Sequence, residues 1–435
     1  MNSYLEQLYD IYLEQRAIST DSRNISTGDI FFALKGENFN GNAFALDAIK
    51  RGAKLAVVDD IALKGEKGCF YVLDTLEALQ QLANYHRKRL QIPVIAITGS
   101  NGKTTTKELL ACVLQAKFKV FATKGNLNNH IGVPLSILSI ADDTELAIIE
   151  MGANNLGEIA NLASIAEPNY GIITNIGNAH LKGFGSFNGV KQAKGELYDY
   201  IAKKGGAVFA NMGNPVIAEL VSLHGLSGNV ITYDTSVFSA TAQVSADLPY
   251  LNVSITVPQL SEKVTIHTSL VGAYNMENVL AAIRVALYFN VDVALISSAL
   301  EGYKPSNSRS QLLKTKSNTV IVDAYNANPT SMEAALRNFG KLPCSKKVVI
   351  LGEMLELGDY SVAEHQRILS IAQDLGCDET ILVGEGFREH AVSNNTFFNN
   401  VDECFCYLAQ RPITGAYILV KGSRGVRLEK VLELL

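Results

Sequence analysis

Along the chain, short apolar runs end in glycine-containing turns and give way to amphipathic stretches, and from Val94 onward this cycle repeats several times. Strands buried on both faces between crossover helices require that pattern, so the expected class is α/β with parallel sheets. Ahead of Val94 the same grammar predicts a strand over 29–34, a helix over 43–51 and a second strand over 54–59. A helical period over 76–90 runs into Pro93, which disfavours helix in the residue before it and sets a boundary near residue 91.

A second unit extends to about residue 305 and holds a Thr-, Val- and Ile-rich stretch, 229–270, that loses helical period and reads as a strand-rich insertion. A helix over 275–289 closes this unit. Beyond Pro305, strands are expected over 319–322, 347–351, 380–383 and 416–420. With 435 residues the chain exceeds one compact core, and about 150 residues per domain suggests three. The expected layout is an N-terminal α/β domain over 1–90, a central phosphate-loop domain with a parallel sheet over 91–305, and a C-terminal Rossmann-like α/β domain over 306–435.

Composition mainly excludes partners. The 47% hydrophobic and 19% charged content is that of a globular chain, and a net charge of −5 offers no broad positive field for nucleic acid. No leader pattern and no apolar run long enough to span a bilayer is present, so a cytoplasmic protein is expected. Six scattered cysteines without zinc-knuckle spacing read as reduced, mostly buried thiols.

The sharpest chemical signal follows the apolar run 94–98. It is Gly99-Ser100-Asn101-Gly102-Lys103-Thr104-Thr105, entered from a strand and left as a helix. This is the short G-x-x-G-K-T form, because Ile97 stands where the longer loop has its first glycine. Two glycines let backbone N–H groups converge on phosphate oxygens at a helix N-terminus. Lys103 supplies a point charge for the β and γ phosphates, and Thr104 a hydroxyl for magnesium. Glu150, ending the apolar run 146–150, is a candidate second metal ligand at the strand edge where open parallel sheets bind ligands. Alone it would read as a cap or a surface residue.

Weaker cues lie further on. His180 follows an apolar run inside a glycine-rich loop, where a lone histidine is usually structural or solvated. Lys194, in Gln192-Ala193-Lys194-Gly195-Glu196, reads by itself as a solvated helix lysine. The clusters Asn126, Asn128, Asn129 and Asn326, Asn328 are turn formers or neutral grips for amides and carboxylates, and both readings stay open.

These strings, together with Asp21-Ser22-Arg23, Lys35-Gly36 and Lys421-Gly422-Ser423-Arg424, resemble the Mur ligases of cell-wall synthesis over essentially the whole chain. The resemblance implies an ATP-dependent amide ligase that joins D-alanyl-D-alanine to UDP-N-acetylmuramoyl tripeptide through an acyl phosphate. That expectation leans most on the strings 323–332 and 351–358. It gives Gly99, Ser100, Asn101, Gly102, Lys103, Thr104 and Thr105 to the ATP phosphates and Asn275 to adenine, with Arg309 and Asp323 reaching across to the nucleotide. Thr104 and Glu150 would hold one magnesium ion and His180 a second, while Lys194 falls where many members carry a carbamylated lysine. Lys103, His180 and Lys194 are thus the catalytic candidates. Ser22, Arg23, Lys35, Gly36, Asn128 and Asn129 fall to the UDP substrate, and Asn326 and Asn328 to the dipeptide. Tyr274 and Asn42 depart from histidines that the resemblance leads one to expect. A monomer is expected. The competing expectations are a diaminopimelate- or lysine-adding member of the family, and a phosphate-loop regulator that ligates nothing.

Overall fold

The computed structural model describes residues 3–244, 249–257, 262–306, 308–344, 346–390 and 395–435. The first sheet has four parallel strands in the order Ile18–Ser19, Ile30–Phe32, Leu55–Val58, Cys69–Tyr71. Helix Thr75–Arg87, capped by the Asp74 carboxylate, lays Ala78, Leu79, Leu82 and Ala83 against helices Gly132–Leu138 and Glu158–Ala166 of the next unit. At its end the buried Arg87 donates to the carbonyls of Ala166 and Glu167 at 2.8 and 2.9 Å. Those carbonyls lie where helix Glu158–Ala166 runs out of intrahelical donors, so the arginine satisfies an end that would otherwise be orphaned.

The second sheet has six parallel strands in the order Val230–Thr232, Ala207–Ala210, Tyr170–Ile173, Val94–Thr98, Leu146–Glu150, Val120–Ala122. The chain first builds to one side of Val94–Thr98, then crosses to the other. That strand therefore sits at the switch point, where the loops on its two sides diverge and leave a crevice. The strand-rich stretch divides. Val230–Thr232 completes this sheet, and Thr241–Val244, Tyr250–Val257 and Glu262–Val271 form a separate antiparallel sheet. Residues 245–248 and 258–261 of the stretch lie outside the described residues. Alternate positions Leu251, Val253, Ile255 and Val257 are buried in one cluster with Leu109, Leu110 and Val113 of helix Lys103–Leu114, which backs the phosphate loop with apolar packing.

The third sheet runs Gln311–Lys314, Thr319–Asp323, Tyr417–Lys421, Lys347–Gly352, Glu379–Val383, Thr396–Phe398. All pairs are parallel except the antiparallel edge strand Gln311–Lys314. Among the described residues, no helix is long and apolar enough to cross a membrane. The cysteines are free, but only Cys404 is buried, which corrects the expectation of mostly buried thiols.

Candidate active site

The phosphate loop leaves strand Val94–Thr98 through Gly99 at φ +141° and enters helix Lys103–Leu114 through Gly102 at φ +81°. A Cβ on Gly99 would lie 2.1 Å from Thr174 Oγ1, and one on Gly102 2.7 Å from Asn278 Oδ1, so space as well as backbone demands glycine at both. The loop is braced by the neighbouring strand end. Asn101 N–H donates to Asn175 Oδ1 at 3.0 Å, and Thr174 Oγ1 donates to Asn101 O at 2.6 Å. Lys103 curls back so that Nζ donates to the carbonyls of Gly99 at 2.7 Å and Ser100 at 3.2 Å. Burial pulls its amine down to about 8 against the attraction of Glu150, and Arg309 adds to the lowering. A triphosphate would give this cation a stronger partner than two neutral carbonyls.

Thr104 Oγ1 donates to both Glu150 oxygens, at 2.9 and 3.1 Å, and Asn128 Nδ2 donates to Glu150 Oε1 at 2.8 Å. Lys107 Nζ stands 3.6 Å from Oε2. Glu150 is 1% exposed, which overturns its isolated reading as a cap or surface residue. A buried carboxylate beside a hydroxyl is a hard oxygen donor pair, and magnesium, which keeps several waters, takes such sparse protein sets. The residues present therefore fit that ion. Asn129 Oδ1 accepts from Ile131 N–H and Gly132 N–H at the start of helix Gly132–Leu138.

His180, at φ +51°, pairs through Nδ1 with the Glu356 carboxylate of the third domain. That contact, ahead of desolvation, holds Glu356 below the usual carboxylate range. Lys182 N–H donates to Glu356 O at 3.1 Å, so main chain as well as side chain joins the two loops. Lys194 is 2% exposed, which overturns the reading of a solvated lysine. Its Nζ has a hydrogen bond of 3.3 Å to Ala153 O and lies 5.2 Å from the Phe184 ring centre. Burial first, then repulsion by Lys103, lowers its amine to about 7.

Other expected residues lie around this centre. Asn275 is buried, with Nδ2 on Val271 O and Oδ1 accepting from Asn278. Tyr274 reaches the linker, its hydroxyl 2.8 Å from Ser310 Oγ. Asp323 accepts from the buried Lys421 at 2.6 Å, across a registered pair of adjacent strands. The Arg309 guanidinium lies 3.9 Å from the Tyr325 ring centre, and its buried Nε has no hydrogen-bond partner among the described residues. Asn328 caps helix Pro329–Gly340 and donates Nδ2 to Asn101 Oδ1 at 2.7 Å, joining the third domain to the phosphate loop. Asn326 is exposed beside it. Among the described residues no such contact brings Ser22, Arg23, Lys35 or Gly36 to this centre, and they belong to the first domain. There Arg23 pairs with Asp21 and Lys35 with Asp59, both at 2.9 Å.

Four participants were not singled out from sequence: Lys107, Asn278, Glu356 and Lys421. Asn278 lies three positions after Asn275 and so shares its helix face, a spacing that could have flagged it. Glu356 and Lys421 sit inside strings that were noticed only as wholes.

Comparison with known proteins extends the match over all three α/β units. Family models for the Mur ligase family catalytic domain, the Mur ligase middle domain, and the Mur ligase glutamate ligase domain match residues 14–94, 97–286 and 308–424. A UDP-N-acetylmuramoyl-tripeptide–D-alanyl-D-alanine ligase of Rickettsia prowazekii (strain Madrid E) is 34% identical, over 96% of this chain and 94% of its own length. This chain belongs to the Mur ligase family. The ligase of the same name from Bacillus subtilis (strain 168) is 32% identical over 96% of this chain and 92% of its own. Among solved Mur ligases, MurF from Acinetobacter baumannii superposes with a TM-score of 0.87 at 30% identity, covering 99% of this chain and 97% of its own. MurF ligase from Thermotoga maritima, solved in complex with ADP, gives 0.85 at 25% identity, over 100% and 98%.

Proposed function

We propose that this chain is the ATP-dependent Mur ligase that joins D-alanyl-D-alanine to UDP-N-acetylmuramoyl tripeptide, acting as a cytoplasmic monomer in peptidoglycan precursor synthesis. The observation that carries the reading is the junction of two sheet edges, with Asn328 of the third domain bonded to Asn101 of the phosphate loop at 2.7 Å. A carboxyl group phosphorylated at that loop faces the loops that would present an amine. Carboxylate is a poor electrophile, and transfer of the γ-phosphoryl of ATP turns it into an acyl phosphate. The dipeptide amine attacks the acyl carbon, and phosphate departs from the tetrahedral adduct with the C–O bond electrons. The protein's work is positioning and charge neutralisation.

In this reading residues 99–105 cradle the phosphates and Lys103 exchanges loop carbonyls for phosphate oxygens. Asn275, Arg309 and Asp323 hold the nucleotide. Ser22, Arg23, Lys35, Gly36, Asn128 and Asn129 serve the UDP substrate, and Asn326 and Asn328 the dipeptide. Thr104 and Glu150 would hold one magnesium ion, with His180 and a carbamate on Lys194 at a second; such ions neutralise phosphate charge. A Lys194 amine near 7 supports the carbamate, because only the neutral amine adds to carbon dioxide. The test is phosphate release by purified protein, expected only with ATP, tripeptide and D-alanyl-D-alanine together, and slowed about 100-fold or more by Lys103→Ala. Equal release with free diaminopimelate or lysine in place of the dipeptide would point to a sister ligase.

A further inference from the structure

The string Lys421-Gly422-Ser423-Arg424 ends in a cation with no fixed task. Lys421 is buried on Asp323. Ser423 Oγ accepts from Leu355 N–H at 3.0 Å and donates to Ala327 O at 3.5 Å, tying together loops from three adjacent strands. Arg424 then emerges, its side chain 64% exposed and its guanidinium 5.8 Å from the centre of the Tyr325 ring, the ring that Arg309 also contacts. Its ion-pair partner, Glu429, is 3.3 Å away. Exposed pairs of that kind stabilise little, so Glu429 can yield to a ligand's anion.

We infer that Arg424, steadied by the Tyr325 ring, receives the free carboxylate of the incoming D-alanyl-D-alanine and so determines specificity for it. The inference rests on the ligase reading above. Chemistry places the dipeptide's amine at the acyl carbon, which leaves a carboxylate about 7 Å along the extended chain. Lys421 is occupied by Asp323, and the reading above gives Lys103 and Arg309 to the nucleotide. Of Lys103, Arg309, Lys421 and Arg424, Arg424 is the one left free to take another anion. Arg309 and Arg424 approach the same Tyr325 ring, at 3.9 and 5.8 Å from its centre, so Arg424 stands beside the nucleotide-side cation, at a ring of the string that carries Asn326 and Asn328. A planar guanidinium grips a carboxylate with two parallel hydrogen bonds, which a C-terminal amide cannot accept equally.

The experiment is steady-state ligation with D-alanyl-D-alanine and with its C-terminal amide. Wild type should favour the acid. Arg424→Ala should raise KM for the acid about 30-fold and leave KM for the amide, ATP and tripeptide unchanged, so that selectivity collapses. Arg424→Lys should retain part of the preference, and Glu429→Gln should leave it intact. Equal loss toward acid and amide, or a shift confined to ATP, would overturn the assignment. If wild type ligates neither dipeptide, the ligase reading itself falls and takes this one with it. Matched melting temperatures across the variants exclude loss of fold.

Discussion

Lys194 illustrates why single residues escape a sequence reading. Its helix neighbours Lys191 and Glu196 are polar, which suggested a solvated face, whereas the loop at Ala153 and the ring of Phe184 close over it from distant parts of the chain. Its amine falls from an unfolded value of 10.5 to about 7. Between those values the unfolded state binds the extra proton, so stability rises with pH across that window, and the full penalty is present below about 7. Lys194→Met should therefore stabilise the protein at pH 6 to 7 by about 1–4 kcal/mol while impairing ligation. Urea unfolding in carbon dioxide-free buffer measures this, and a less stable variant would show that the amine is better partnered than its contacts suggest. Asn42 is the converse case. Its amide bonds Asn40 and Asp59 side chains and accepts the N–H groups of Asp59 and Asp60, so at this position of the expected histidine stands a satisfied structural strut. Asp59 and Asp60 lie 17 and 18 positions away, beyond the reach of any local pattern.

Elements were legible where burial on both faces left an unbroken apolar run, as in Val94–Thr98 and Leu146–Glu150, each buried throughout. Edge strands such as Gln311–Lys314 and Thr396–Phe398 were not anticipated, because half-exposed positions dilute the signal. Helix Thr75–Arg87 adds a property that its period does not announce. His86 is buried in it, with Nδ1 3.1 Å from Tyr9 hydroxyl. Burial first, then the Arg16 charge, lowers its value from 6.5 to about 4, with Asp142 and Arg89 acting in smaller, opposed ways. A lowered base keeps its contribution above 6.5 and loses it as pH falls toward 4. Acidification across that window should cost on the order of 3 kcal/mol, and His86→Phe should flatten the dependence. Unfolding midpoints between pH 4 and 7 test it; an unchanged slope in the variant would assign the acid sensitivity elsewhere.

At the scale of the whole molecule, the two outer domains are attached differently. The first is welded to the centre by the apolar face of Thr75–Arg87 and by buried Arg87. The third touches it through polar bridges, Asn328 to Asn101, Thr330 to Asn178, Glu356 to His180 and Tyr360 to Gly185, beside apolar residues such as Met354 and Leu357 that share one cluster with Leu181 and Phe184. The polar bridges exchange for ligand contacts at small net cost, whereas a helix face packed as the first domain's is does not. The sequence showed three α/β units but not this junction, since Asn101 and Asn328 meet across 227 positions. The linker between them holds Ser308 at φ +54° and Ser310 at φ +47°, a left-handed backbone costing about 1–2 kcal/mol per non-glycine residue. Strain of that kind flanking Arg309 makes this linker the joint at which a rotation of the third domain would be absorbed. Binding of a non-hydrolysable ATP analogue with tripeptide and dipeptide should therefore compact the particle by moving the third domain alone. Small-angle scattering should record a smaller radius of gyration, and hydrogen exchange should slow around 323–328 and 353–358 while the seam at 75–87 stays unchanged. A constant radius, or altered exchange at the first domain's seam instead, would place the moving joint elsewhere.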